Sequence, residues 1–320
     1  MSEVTGKKVS WVTVDQEFAG QRLDNFLLRQ LKGVPRSYIY RIIRKGEVRV
    51  NKGRSSVKYK LQANDVVRIP PVRQTDGEAG NKPYQILKDK LENTIIYEDN
   101  SLIVLNKPSG MAVHGGSGVS FGVIETLRSM RPQDQHLELA HRLDRETSGC
   151  LIISKKRSAL RMIHELQRTD GITKKYLALV WGDWGKKGAL EVDVPLRKNT
   201  LQGGERMVQV DAAGKPSKTR FRVLERFADS MLVSAELLTG RTHQIRVHCT
   251  HAGTPILGDD KYGDAEANRL YRERGLRRLF LHAVSLAFKT PDNGEEMRFS
   301  APLDDELEQV LNKLRMSLAQ

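Results

Sequence analysis

The chain has 320 residues, 39% of them hydrophobic and 6% aromatic, a composition typical of a folded, water-soluble protein with room for two domains. It lacks the run of about 18 apolar residues that a membrane helix needs, and we expect no secretory signal at its start. The two cysteines, Cys150 and Cys249, lie far apart, which argues against a disulfide framework or a cysteine zinc cluster and favours the cytoplasm.

The charge is strongly basic and unevenly placed along the chain. The net charge is +14, and the pI is near 9.7. Residues 21–60 hold 12 lysines and arginines against 2 acidic residues, so most of the excess positive charge lies in one short stretch. Such a local surplus favours a polyanionic partner, usually nucleic acid, over the alternative of a merely solvated basic face.

The basic stretch is predicted to form a small module of two helices and a small sheet at residues 20–71, behind an N-terminal segment at 1–19. Apolar residues in 21–31 recur with the i, i+3, i+4 spacing of an amphipathic helix, and 36–45 shows the same spacing. Short alternating strands joined by polar turns are expected to complete the module.

A linker at 72–92, with a short helix at its end, is expected to lead into a larger domain at 93–320. Two apolar runs, at 95–97 and 102–105, flank a polar turn and predict a hairpin. Strand then follows strand without a regular βαβ rhythm, so we expect an α+β fold with a mixed or antiparallel sheet. Further strands are predicted at 151–154, 176–182, 219–227, 231–238 and 281–288, and helices at 121–130, 157–168, 242–251 and 303–318.

The chain lacks the short motifs of several enzyme classes. There is no GxxxxGK[ST] phosphate loop, no GxGxxG between a strand and a helix and no HExxH. His243, His248, Cys249 and His251 share one predicted helix, but capping, core or RNA-facing roles are favoured there over a metal site. Redox, nucleoside-triphosphate and metallohydrolase chemistry are therefore poorly supported.

The stretch HRLDRETSG, residues 141–149, sets one aspartate between two arginines. Asp144 is preceded by Arg142 and followed by Arg145, and a buried strand is predicted just after it. If 141–144 is extended, Arg142 and Asp144 share a face, where an arginine keeps a carboxylate ionised. The residues alone leave two readings open: a structural Arg–Asp pair, or a carboxylate held at the end of a sheet for chemistry.

Nearly the whole chain resembles the pseudouridine synthase family that isomerises uridines in ribosomal RNA. HRLDRETSG looks like the catalytic motif of that family, and the basic module resembles the small RNA-binding domain first seen in ribosomal protein S4. One such motif is weak support, whereas four in the expected order behind a matching module are specific. The other three motifs are matched by NKPSGMAVHGG at 106–116, by KKYLALVWG at 174–182, and by GRTHQIRVH at 240–248 followed by GTPILGDDKYG at 253–263.

The resemblance implies a reaction that breaks the bond from uracil N1 to ribose and rejoins the base through C5, with no metal, redox or nucleotide cofactor. It implies that Asp144 is the nucleophile, or the base that starts glycal formation, on a flipped-out uridine. Tyr176 would stack on the uracil and help to remove the C5 proton; its lysine neighbours suggest partial exposure. Arg246 would be the basic partner of Asp144, Arg241 a second candidate for that role, and Arg142 a group that displaces or holds nucleotides.

The basic module is expected to grip phosphates of large-subunit (23S) ribosomal RNA, or of an assembly intermediate, with a monomer as the working form. One alternative is a non-catalytic ribosome-assembly factor, which should tolerate the loss of Asp144. Another is an RNA methyltransferase, which would need a glycine-rich cofactor loop that the sequence lacks. The cations expected to contact RNA are Arg36, Arg41, Arg44, Lys45, Arg49, Lys52 and Arg54.

Overall fold

The computed structural model describes residues 9–31, 34, 36–72, 82–115, 121–134, 136–200 and 206–318. The chain divides into two compact units, an N-terminal unit (Met1–Gln85) and a C-terminal unit (Ile86–Gln320). In the described ranges, no helix is both long enough and apolar enough to cross a membrane.

The N-terminal unit combines a small antiparallel sheet with two helices. Its elements are β1 (Ser10–Thr13), a single 3₁₀ turn (Gln16–Phe18), α1 (Leu23–Gln30), α2 (Arg36–Arg44), β2 (Arg49–Val50), β3 (Gly53–Arg54) and β4 (Val66–Ile69). The strands lie in the order β1-β4-β2-β3, and each neighbouring pair is antiparallel. Phe26 and Leu27 of α1 and Ile39 and Ile42 of α2 are buried in one core with Val67 of the sheet, as expected for amphipathic helices.

One strand of this sheet comes from the segment at 1–19, which the sequence analysis placed outside the module. Ser10–Thr13 pairs along its whole length with Val66–Ile69, so this segment supplies an edge of the sheet. The strand has four residues and leaves Trp11 exposed, so it carries too little alternation to be recognised in the sequence.

The segment at 72–92, interpreted as a linker, ends in helix α3 (Lys82–Glu92). Leu91 in its last turn is fully buried in the main core of the C-terminal unit. Residues 73–81 of the expected linker lie outside the described residues.

The C-terminal unit is built on one mixed sheet with helices on both faces. Its strands are β5 (Ile95–Glu98), β6 (Leu102–Lys107), β7 (Glu138–Leu139), β8 (Ser148–Ser154), β9 (Ile172–Trp181), β10 (Ala189–Asp193), β11 (Leu196–Thr200), β12 (Arg206–Val210), β13 (Lys218–Arg226), β14 (Ser230–Leu237), β15 (Leu281–Lys289) and β16 (Glu296–Ser300). Its further helices are α4 (Val123–Met130), α5 (Arg157–Arg168), α6 (Gln244–His251), α7 (Ala265–Glu273) and α8 (Asp305–Leu318).

The main sheet runs in the order β10-β13-β14-β9-β15-β8-β6-β5, with β16 beside β15 and β7 beside β8. The β8–β15 pair is parallel, while β9 pairs with β15 in the antiparallel sense. Strands β11 and β12 form a separate antiparallel hairpin. Strand β15 comes late in the chain but lies between β8 and β9, which come much earlier.

Alternate residues of the central strands serve cores on opposite faces of the sheet. In β6, Ile103 and Leu105 belong to the core that includes α4, whereas Leu102 and Val104 belong to the core that includes α5. This division follows from the two-residue repeat of a strand. A third core packs α7 and α8 against residues of β9 and β14.

The predicted α+β class is confirmed: a small module of helices and a sheet comes first in the chain, and a domain with a mixed sheet follows it in sequence. The predicted hairpin is β5-β6, and the helix predicted at 157–168 is α5 with those bounds. Helix α7 and the hairpin β11-β12 were not predicted. In α7 the buried side chains include Asn268 and Tyr271, so its core-facing stripe does not read as apolar.

Candidate active site

A cleft of about 560 Å³ in the C-terminal unit brings together side chains from widely separated motifs. The loop ahead of β8, strand β9, the end of α5 and the start of α6 all contribute to its walls. All five side chains expected to handle the uridine line this one cleft: Arg142, Asp144, Tyr176, Arg241 and Arg246.

Asp144 takes its charged neighbours from α6 and not from its own sequence stretch. Its Oδ2 lies 3.6 Å from Nη1 of Arg246 and 3.8 Å from Nε2 of His243, and its side chain is 27% exposed. Arg145 pairs with Glu146 at 2.9 Å instead. The chain at 141–144 is irregular, not a strand, and the described residues show no ion pair between Arg142 and Asp144. The reading of a pair between sequence neighbours was therefore wrong, and the partner is more than 90 residues away.

The guanidinium of Arg246, which faces Asp144, is held in place by contacts with other residues. Its Nε and Nη2 each donate a 2.7 Å hydrogen bond to Asp259, and its guanidinium lies 4.9 Å from the ring centre of Tyr262. Asp259 is 1% exposed at its side chain and also accepts from the backbone N–H groups of Lys261 and Tyr262. Burial alone would raise the pKa of Asp259, but the bonds from Arg246 lower it below its ordinary value. The bidentate pair thus leaves Nη1 of Arg246 to face Asp144.

Lys107 connects the first motif to the loop that carries Asp144. This fully buried ammonium group donates to the carbonyl oxygens of Pro108 and Met111 at 2.8 Å and of Arg145 at 3.0 Å. Burial lowers the pKa of Lys107 to about 7. The residue after Asp144 is thereby held to the end of β6.

Gly149, the last residue of HRLDRETSG, occupies a position where a side chain would not fit. Its φ is +107°, and a Cβ at this position would lie 2.3 Å from the carbonyl oxygen of Ala283. Glycine therefore permits the close parallel approach of β8 to β15, where Gly149 pairs with Ala283. That approach fixes the start of β8, directly after the loop that carries Asp144.

Tyr176 lies on β9 and is buried, with 7% of its surface exposed, although partial exposure was expected. Burial, and then the negative charge of Asp144, raise the pKa of its phenol well above the ordinary value. The ring lines the cleft as a neutral aromatic surface. This state suits stacking on a base and makes a phenolate base unfavourable.

The other two predicted arginines differ from Arg246 in their surroundings. Arg142 is exposed at the rim of the cleft. Arg241 is also exposed, and its Nε donates to the carbonyl oxygen of Pro216 at 3.0 Å. No ion pair joins Arg241 to Asp144 among the described side chains, and its role as a second partner stays a prediction.

The cleft holds further polar groups that the sequence reading did not single out as site residues. Nε2 of His141 accepts a 3.1 Å hydrogen bond from the backbone of Ile152, and burial lowers the pKa of this imidazole to about 3. Burial also lowers the pKa of Lys174. His243, for which a capping, core or RNA-facing role was expected, is the N-cap of α6. Their positions inside the recognised motifs were the only signal for them.

In the N-terminal unit, the cations expected to contact RNA lie at the surface wherever their side chains are described. The guanidinium of Arg41 stacks over Tyr38 at 4.4 Å, and Arg49 donates to the carbonyl oxygen of Lys52. The side chain of Arg36 lies outside the described part. The exposed members of the predicted set are Arg41, Arg44, Lys45, Arg49, Lys52 and Arg54.

No group of three or more His, Cys, Asp or Glu side chains is placed to hold a metal ion within the described ranges. His248, one of the histidines considered for a metal, instead bonds through Nε2 to Ser217 at 3.0 Å. Cys249 is fully buried in the main core.

Comparison with known proteins matches both parts of the chain. A family model described as RNA pseudouridylate synthase matches residues 101–251, and the S4 domain model matches residues 21–67. Two relatives are named ribosomal large subunit pseudouridine synthase C. That of Pasteurella multocida (strain Pm70) is 55% identical and covers 98% of this chain and 96% of the relative. That of Escherichia coli (strain K12) is 56% identical and covers 98% of each.

A solved structure shares the fold of the larger unit. The human RNA Pseudouridylate Synthase Domain Containing 4 superposes with a TM-score of 0.59 at 29% identity. The match covers 73% of this chain and 97% of the human one.

Proposed function

The chain belongs to the RNA pseudouridine synthase family, and we propose that it isomerises specific uridines of large-subunit (23S) ribosomal RNA to pseudouridine. Relatives that match almost its entire length carry the name of that activity. The single observation that carries the proposal is Asp144, which lies in the cleft with its Oδ2 facing a buried, bidentately fixed Arg246.

The proposed reaction begins with a uridine that has left its stack and entered the cleft. Asp144 either attacks C1′ of the ribose or removes a proton from C2′ to form a glycal, and the C1′–N1 bond breaks. The uracil turns so that C5 faces C1′, and a C1′–C5 bond forms. The Asp144–C1′ bond breaks in this step if Asp144 attacked C1′, and C2′ regains its proton from Asp144 if a glycal was formed. The hydrogen on C5 leaves as a proton and N1 gains one, so the product is an isomer of the substrate.

Tyr176 supports this scheme as a stacking surface. A buried aromatic ring beside the carboxylate can hold the uracil close to C1′ while the base turns. Because its phenol has a raised pKa, we assign Tyr176 to stacking and not to removal of the C5 proton. We assign Arg142, which is exposed at the rim, one of two tasks: it fills the space that the extruded nucleotide leaves, or it binds the phosphates around that nucleotide.

We assign the basic module to the binding of RNA and not to the chemistry. Its exposed arginines and lysines suit phosphate contacts, and their contribution should decrease steeply with salt. Action as a monomer in the cytoplasm stays a prediction from the sequence.

The test is release of tritium from 5-tritiated uridine in large-subunit ribosomal RNA, with wild type compared with Asp144→Asn. The wild type should release tritium, and the variant should lose at least about 10⁴-fold in rate, because the amide cannot act as nucleophile or base. Binding of the RNA should change little. Absence of release by the wild type on both free RNA and assembly intermediates would favour a non-catalytic assembly factor.

A further inference from the structure

We propose that His243 is a positioning residue of the reaction: a neutral imidazole, locked by Tyr262 in its Nε2–H form, that orients Oδ2 of Asp144. The proposal rests on the proposed function, since it assigns a task at the same carboxylate. It adds a second donor beside Arg246.

The backbone at His243 is the first observation. Five non-glycine residues of the described chain have positive φ, namely Asn51, Lys52, Asn64, Asp170 and His243. Of these, His243 alone lines the cleft, at φ 52° and ψ 21° directly before α6. This left-handed conformation is uncommon for residues other than glycine, although histidine is among those that adopt it most readily. No capping bond from its side chain accounts for it, because the imidazole is not bonded to the N-terminus of α6.

The hydrogen bonds of Tyr262 favour one tautomer of the His243 imidazole. The backbone N–H of Val208 donates to the phenol oxygen of Tyr262 at 2.9 Å, and that oxygen lies 2.8 Å from Nδ1 of His243. The phenol oxygen already accepts one bond, so its own proton is free to point at Nδ1. Nδ1 then accepts, and the imidazole proton resides on Nε2. Burial raises the pKa of Tyr262, which keeps the phenol protonated and able to donate.

The charges around the ring are compatible with a neutral imidazole. Its side chain is 14% exposed, and Asp144 and Asp259 face it together with Arg246 and Lys261. Burial is the largest influence and lowers the pKa of His243; the cations act in the same direction and the carboxylates oppose them. A neutral donor orients a carboxylate without supplying a second full positive charge that would weaken its attack.

Both donors converge on the same oxygen of Asp144. Nη1 of Arg246 and Nε2 of His243 lie 3.6 and 3.8 Å from Oδ2. A small rotation of the carboxylate on substrate entry brings either distance to that of a hydrogen bond. With Oδ2 engaged, Oδ1 is the oxygen presented to C1′ or to the C2′ proton of the ribose.

The hairpin β11-β12 packs against Tyr262 and supplies its backbone donor. Val208 lies on β12, and its side chain packs with Leu196 of β11 and Val247 of α6, with Tyr262 against them. The backbone donor to Tyr262 is thus held by an element outside the main sheet. The hairpin therefore acts on Asp144 through Tyr262 and His243 in turn.

The experiment compares His243→Leu, His243→Gln and Tyr262→Phe, with exposed His251→Leu on the same helix as the matched control. Single-turnover tritium release should fall about 10- to 100-fold in His243→Leu with little change in KM, because one oriented donor is lost. His243→Gln keeps an N–H donor and should recover part of that loss. His251→Leu should match the wild type, and thermal unfolding checks that each variant is folded.

A spectroscopic readout tests the tautomer independently of turnover. In ¹⁵N-histidine NMR of the full chain, His243 should show a protonated Nε2 and an unprotonated Nδ1 near neutral pH, and Tyr262→Phe should mix the two tautomers. A protonated Nδ1 in the wild type, or full activity in a folded His243→Leu, would overturn the proposal. If the wild type itself released no tritium, the proposed function would fail while the tautomer result still stood.

Discussion

In the N-terminal unit the arginines expected to contact RNA are exposed wherever their side chains are described, whereas Arg246 in the C-terminal unit is 9% exposed at its side chain and held by two hydrogen bonds to Asp259. The same guanidinium group therefore serves two purposes. Exposed cations add small, salt-screened contributions that sum over many phosphates. A buried cation fixes the direction of one other side chain, and its removal leaves a charge without its partner.

The largest effect should come from breaking the buried pair. Arg246→Met should lower the free energy of unfolding by roughly 3–5 kcal/mol, because Asp259 is left as an uncompensated buried charge. Tritium release should fall at least about 100-fold, since Asp144 loses the donor to Oδ2. Urea unfolding and the release assay measure the two effects, with exposed Arg269→Met as control.

The double variant Arg246→Met/Asp259→Asn sharpens this test. Removal of the stranded charge should return part of the stability, while tritium release stays low because nothing replaces Nη1 beside Asp144. Recovery of activity together with stability would mean that Arg246 acts only as a structural residue.

A second, smaller effect concerns buried histidines, which differ from exposed ones in their response to acid. Burial lowers the pKa of His248 to about 4, while an unfolded histidine takes a proton near pH 6.5. Between these values the unfolded state binds more protons, so the free energy of unfolding falls as the pH is lowered. His248 alone should cost about 2 kcal/mol at pH 5 relative to pH 7.

The measurement is urea unfolding at pH 7, 6 and 5 for wild type, His248→Gln and exposed His251→Gln. The dependence on pH should weaken in His248→Gln and persist in His251→Gln. Equal pH dependence in all three proteins would contradict a neutral, buried His248.

The smallest effect on the folded protein should come from the basic module. Replacing Arg44, Lys45 and Arg49 by glutamine should change the free energy of unfolding by less than about 0.5 kcal/mol each, because the three side chains are exposed. The slope of log affinity against log salt should become shallower by roughly 0.7–0.9 for each phosphate that the variant no longer neutralises. Tritium release at saturating RNA should be unchanged. The matched control neutralises Lys289, Arg298 and Lys313, which are exposed on the C-terminal unit.

Much of the fold could be read from the sequence because it depends on local periodicity. The spacing in 157–168 predicted a helix with the observed bounds, and the apolar run after HRLDRETSG predicted the buried strand β8. The hairpin β11-β12 and helix α7 were missed because they are stabilised by tertiary packing and not by an apolar pattern.

The members of the site, and one of its pairings, could be expected from the motif resemblance. Asp144, Tyr176 and Arg246 came from the motif resemblance, and all three line the cleft. The resemblance also gave Arg246 as the basic partner of Asp144, and the two side chains lie 3.6 Å apart. Charge and spacing alone could not give this pair, because Arg142 is next but one to Asp144 in sequence whereas Arg246 approaches it only through the fold. Burial of Tyr176 likewise depends on the strands beside β9, which its flanking lysines do not reveal.

The position of β15 between β8 and β9 sets an order of events during synthesis of the chain. The loop with Asp144 and the strand with Tyr176 are made early, but the strand that spaces them, Leu281–Lys289, is among the last parts to leave the ribosome. The basic module has all its strands and helices before residue 70 and can fold long before that. A nascent chain therefore gains the means to hold RNA well before it gains an assembled cleft, and truncation before β15 should leave a binder without turnover.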